Sequence, residues 1–281
     1  SLVNPNQVVV DTYYKNAAEL EAGVYAIYGS IQSAQLYSRE YWFLHDLRGD
    51  DNKAGGGQLE TPRNQLLIGS NDPSNSVANS VWNGFYQVIL RSNIVITQGP
   101  EVEEISESER TALIAEAKFA RGWAYFEFGS LWGGVPIYTT YAETFEEAAP
   151  KSSQAEVLNQ AIQDLRDAAA GLPEVTNVKL EGRFSKGSAL AMLGRALMFT
   201  GDYAGAKDAY EQIVNSGNYE LVDEYDDNFQ EENEYNKESI MEIGYADIGG
   251  FNWDGTGDGV GNEQSVRTQE YSAVGWRNLI P

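Results

Sequence analysis

The stretch GSALAMLGRALMFTGDYAGAKDAYEQIV (Gly187–Val214) decides the fold. Apolar residues recur at helical spacing on both sides of Thr200–Asp202, so the spacing predicts an antiparallel helix pair, Ser185–Phe199 and Tyr203–Ser216. Leu193, Gly194, Gly201, Tyr203, Ala206 and Tyr210 occupy six positions of a fixed register. Each has a packing reason. Small residues at Gly194 and Ala206 let the helices approach, Gly201 permits the tight turn, and the aromatic rings fill the space between helices.

That register is the one of a tetratricopeptide repeat, with Leu197 where the repeat prefers Tyr. The helix around AEAKFARGWAY (Ala115–Tyr125) repeats the first-helix pattern, with Gly122 and Tyr125 in place. Its partner is delayed by the Trp132–Pro150 excursion, so the repeats are divergent and interrupted and no regular solenoid is expected. Other helices are read over Asn16–Ser33, part of Ser30–Leu47, and Val77–Thr97. Ser106 with Glu109, and Ser153 with Glu156, mark two further helix starts. Arg48–Asn75 is read as a long polar loop, Ile240–Ile243 as a short strand, and Gly249–Asn262 as glycine-rich loop. The fold class is therefore mainly α: tetratricopeptide-like helix pairs forming an α-α superhelical scaffold, with long inserted loops and few short strands. Residues 1–222 form the scaffold and 223–281 begin a loop-rich region.

Composition narrows the function. Lys and Arg number 19 against 42 Asp and Glu, a formal net charge of −23. Such a surface repels phosphate backbones and anionic lipid, which excludes nucleic acid and a basic membrane patch. There is no cysteine, hence no disulfide, thiolate nucleophile or Cys-ligated zinc. No run approaches the roughly 20 apolar residues that span a bilayer. The single histidine, His45, has no catalytic motif around it, and no cofactor is expected. DGTGDG (Asp254–Gly259) superficially suggests a calcium loop, but Ser265 stands where an EF-hand needs Glu.

Three segments, AEAKFARGWAYFEFGSLWGGVPIY (Ala115–Tyr138), VWNGFYQVILRSN (Val81–Asn93) and Gly187–Val214, together with ESIMEIGY (Glu238–Tyr245), resemble the SusD/RagB family. The resemblance covers nearly the whole chain. It implies a cell-surface lipoprotein of the bacterial outer membrane, anchored through an acylated cysteine, that captures oligo- or polysaccharide without catalysis. It also implies a TonB-dependent, SusC-like transporter as partner. On this reading the chain starts just after the anchoring cysteine and stops before the end of the ligand-binding half. The alternative is a tetratricopeptide-type adaptor that grips a partner's peptide and binds no glycan.

Seventeen tyrosines and six tryptophans supply stacking surface for sugar rings. Trp82, Trp123 and Trp132 fall in helical segments and are assigned to packing. Trp253 and Trp276 lie in polar, glycine-rich surroundings; Trp253 is the leading platform and Trp276 a supporting one. Asn252 and Asp254 flank the first, and Trp42, Arg48, Asp50 and Asp51 complete the candidate glycan contacts.

Overall fold

The computed structural model describes residues 14–50, 60–141 and 149–245. By mutual contact the chain divides into two compact units, Ser1–Ile27 with Val88–Glu242 and Tyr28–Gln87 with Ile243–Pro281. The structure is mainly helical: α1 Ala17–Ile31, α2 Glu40–Asp46, α3 Thr61–Leu67, α4 Ser76–Gln98, α5 Glu107–Leu131, α6 Gln154–Gly171, α7 Lys186–Thr200 and α8 Tyr203–Ser216.

In the first unit α5, α6, α7 and α8 pack each on its predecessor, which is the two-pair arrangement read from the register. Helix α5 opens where Ser106 Oγ accepts the Glu109 N–H at 3.3 Å. It is buried on nearly every side, with Phe119, Tyr125 and Phe128 fully inaccessible. A helix apolar all round belongs in the centre of a core. Ser153 and Glu156 close a reciprocal capping box at the start of α6, and Ser185 with Ser188 does the same for α7. Gly201, with φ 85°, ends α7 in the left-handed conformation, and Asp202 caps α8 by accepting the Gly205 N–H at 2.9 Å.

Helix approach within each pair depends on glycines, Gly122, Gly129 and Gly171 between α5 and α6 and Gly194 between α7 and α8. A Cβ on Gly122 would stand 3.0 Å from Asp164 and Leu165 of α6, and one on Gly194 would meet the Tyr210 ring at 2.5 Å. Ala206, facing the same gap, is 2 % exposed. We expect Gly194→Val to cost about 1–3 kcal/mol by overpacking. Urea unfolding measures it; an unchanged midpoint would contradict the repeat packing.

The excursion after α5 is sewn down by polar groups. Arg121 reaches Asp164 through two bonds of 2.8 and 2.7 Å, and donates to Asn93 Oδ1 and the Thr139 carbonyl at 2.8 and 3.0 Å. Asn93 Nδ2 in turn donates to the Tyr138 and Thr140 carbonyls. Tyr125 Oη donates to the Tyr138 carbonyl at 2.9 Å and accepts its N–H at 2.6 Å. Burial pushes the Tyr125 hydroxyl far above its ordinary range, so it stays a donor. The motif ARGWAYF…WGGVPIY is thus a helix and the strap it holds.

A second knot joins α1 to the segment before α7. Arg183 pairs with Glu116 of α5 and with Glu21 of α1 at 2.6 Å, and Lys179 also reaches Glu21 at 2.7 Å. Burial raises the Glu21 pKa, but the bonds from Lys179 and Arg183 outweigh it and leave the carboxyl below its usual value.

Two expectations need correction. No strand forms at Ile240–Ile243; among the described residues pairing is limited to isolated bridges, Asn16 with Glu104 and Pro136 with Lys151. Nearby, the Glu242 carboxylate accepts the Tyr235 N–H, and the Gly244 carbonyl accepts Gln32 Nε2. The polar stretch Arg48–Asn75 is not loop throughout, because TPRNQLL forms α3. Pro62 lies in its first turn, where the missing N–H costs no helical bond.

Candidate functional site

Of the candidates, the described ones, Trp42, Arg48 and Asp50, lie in or just after α2, in the second unit. This short helix lacks a side-chain cap and is held by what it buries, Trp42, Phe43 and Leu44. Arg63 of α3, itself 4 % exposed, lies 4.2 Å above the Phe43 ring and pairs with Glu40 at 3.1 Å. It also pairs with Glu60, which is exposed. This clamp ties α3 to α2. Asn75 joins the far end: Nδ2 donates to the Pro62 carbonyl and to Gln65 at 2.9 Å, while Oδ1 accepts the N–H groups of Val77 and Ala78. Ser74, through its hydroxyl and then its N–H, and Gln65 hold the Asp72 carboxyl below its ordinary range.

On the other side, Tyr37, Tyr41 and His45 form a ladder at four-residue spacing, with ring centroids 4.3 and 4.5 Å apart. Tyr41 also meets the Phe85 edge at 5.7 Å. His45 is exposed, as are Arg48 and Asp50 just beyond the helix. Two members of the candidate set therefore stand together at the surface with an aromatic neighbour the sequence reading had set aside.

Trp42 does not join them. Its side is 7 % exposed, its indole N–H donates to the Ser38 carbonyl at 3.2 Å, and its ring packs on Phe43 at 4.1 Å. The helix that would have displayed it instead turns it inward, because α2 has no other apolar face to bury. Trp42 is a core residue and leaves the candidate set. Trp123 is buried as expected, and Trp82 and Trp132 are half-buried. Asp51, Asn252, Trp253, Asp254 and Trp276 lie outside the described residues, as does the DGTGDG segment. Among the described residues no cluster of His, Asp and Glu has the spacing of a metal site, and no helix is long and apolar enough to cross a membrane.

Capped helix pairs and a strap pinned by a buried arginine define a helical, repeat-like scaffold, and comparison with known proteins says of which family. Residues 14–198 match the family model described as starch-binding and associating with the outer membrane, and the chain belongs to this SusD-like family. It is 31% identical over 224 residues to a SusD-like protein, P38, of Formosa agariphila, covering 78% of this chain and 42% of the relative. It is similar in structure to a laminarin-binding SusD-like protein, with TM-score 0.77, 29% identity and coverage of 87% of this chain and 55% of that one. A SusD superfamily protein of Bacteroides vulgatus, 23% identical, shares the fold with TM-score 0.73 over 82% of this chain and 50% of its own. The chain spans about half the length of the curated relatives it matches.

Proposed function

We propose that this protein captures neutral oligo- or polysaccharide at the outer face of the outer membrane, without hydrolysing it, and passes it to a TonB-dependent, SusC-like transporter. The observation that carries the reading is membership in a family described as starch-binding, together with 29% identity to a laminarin-binding structure of the same fold. A net charge of −23 favours neutral glucans over uronate or sulfate polymers, which it would repel. Surface placement through a lipid anchor belongs to the same proposal.

Trp253 and Trp276, with Asn252, Asp254, Arg48, Asp50 and Asp51, remain the proposed contacts, in a ligand-binding region that we assign to 223–281 and the segment after α2. Stacking one sugar on an indole is worth on the order of 1 kcal/mol, by analogy with aromatic pairs. Trp253→Ala should therefore weaken retention on a laminarin or starch affinity gel severalfold. Unchanged migration of the variant would remove Trp253 from the site.

The adaptor reading has one observation in its favour. A groove of about 570 Å3 runs over α6, α7 and α8, lined by Leu190, Leu193 and Leu197 and by the charged Arg166, Lys186 and Asp208. It suits a protein segment better than a sugar, and it fits the capture reading if the segment belongs to the transporter. Glycan binding separates the two, since a pure adaptor has none.

A further inference from the structure

Outside those candidates, the first unit holds a second cleft, of about 230 Å3, between the segment preceding α7 and the segment following α8. Its walls include Val175, Val178, Tyr219, Tyr235 and Met241. Most ligand pockets for drug-sized molecules run to roughly 300–1,000 Å3, so this one takes a single ring.

Tyr235 is the feature that sets the cleft apart. Its φ is 55°, the only positive value at a non-glycine position among the described residues. A tyrosine held there is disfavoured by its own Cβ, and such outliers cluster at ligand clamps. Two groups impose the conformation. The Glu242 carboxylate accepts the Tyr235 N–H at 2.9 Å. Gly182, itself at φ 81°, receives the ring so closely that a Cβ there would stand 3.1 Å from the hydroxyl and 3.3 Å from the ring edge. The hydroxyl of Tyr219 is placed by Ser185 at 3.2 Å.

We propose that this cleft binds one neutral pyranose ring, a second carbohydrate subsite built from residues other than the loop tryptophans. The proposal rests on the glycan-capture reading above. The apolar walls suit the C–H face of a sugar. Around them stand the acceptors Glu181 and Glu242 and the donors Lys237 and Ser239, which together suit the hydroxyls of a neutral sugar. A cation has no closed set of ligands there, and a peptide needs a longer groove.

The test is calorimetric titration of the full-length protein with maltotriose and laminaritriose. Tyr235→Asn is the informative variant, because Asn tolerates the left-handed backbone while the ring is removed; Tyr235→Phe keeps the ring. The expected result is a second, weaker binding event that Tyr235→Asn abolishes, that Tyr235→Phe retains and that persists in Trp253→Ala. Thermal melting checks that both Tyr235 variants fold. If Tyr235→Asn titrates like the parent while Trp253→Ala removes all binding, the cleft is no subsite and the capture reading stands. If the parent binds neither sugar, both readings fall together.

Discussion

Replacing Arg121 with Ala should destabilise the protein by about 3–5 kcal/mol, the cost of stranding a buried carboxylate. Arg121 and Asp164 have side chains only 6% and 2% exposed. The guanidinium spends four of its five N–H groups: two bonds to Asp164, one to Asn93 and one to the Thr139 carbonyl. Removal also takes away one anchor of the strap after α5, the bond to the Thr139 carbonyl. For a unit of this size the loss corresponds to a fall in Tm on the order of 10 °C. Arg121→Lys should recover only part, since an ammonium cannot make the forked pair. The double change Arg121→Met with Asp164→Leu should be far milder than the single one, because no buried charge is left alone. A single variant melting within a degree or two of the parent would show that the pair does not hold the strap.

The second large effect is expected at Arg183. Its side chain is 8% exposed and it is shared by Glu116, 5% exposed, and Glu21, 15% exposed. Arg183→Ala leaves Glu116 without this partner and Glu21 with Lys179 alone, at a cost of roughly 3–5 kcal/mol near neutral pH. The pH dependence has a definite sign. The Glu21 pKa is lowered on folding, so its contribution is complete above the ordinary Glu value of about 4.3 and is lost as pH falls through the lowered folded value. The variant lacks part of that contribution. The gap between parent and variant should therefore narrow as the pH drops from 5 toward 3. A gap that stays constant or widens in acid would place the effect in packing and not in the ion pairs.

Much of the fold was legible because its signals are local. Ser153 with Glu156 closes a capping box three residues apart, and Gly194 stands opposite Tyr210 because a fixed register puts it there. The helix of TPRNQLL was not legible, since the Gly, Pro, Asn and Asp content of the stretch reads as loop until Arg63 finds Glu40 and Phe43, 23 and 20 positions earlier. The strand at Ile240–Ile243 failed for the opposite reason: alternation is local, but a ladder needs a partner strand, and among the described residues none pairs with it. Trp42, at a helix end before a polar loop, was ambiguous in the sequence; the structure buries it, because so short a helix is held by what it packs against. Tyr235 gave no signal, lying in the acidic run QEENEYNKE, because a left-handed backbone at a tyrosine is imposed by distant Gly182 and Glu242.

The central claim is capture without chemistry, and one sample tests it. Full-length protein titrated calorimetrically with laminarin and with starch should bind at least one of them with modest affinity. The same solution, assayed afterwards for new reducing ends, should show no glycan cleavage. Binding with unchanged reducing ends is the result expected here. Absence of binding to both glucans, or release of reducing sugar that disappears on changing one acidic residue, would contradict it.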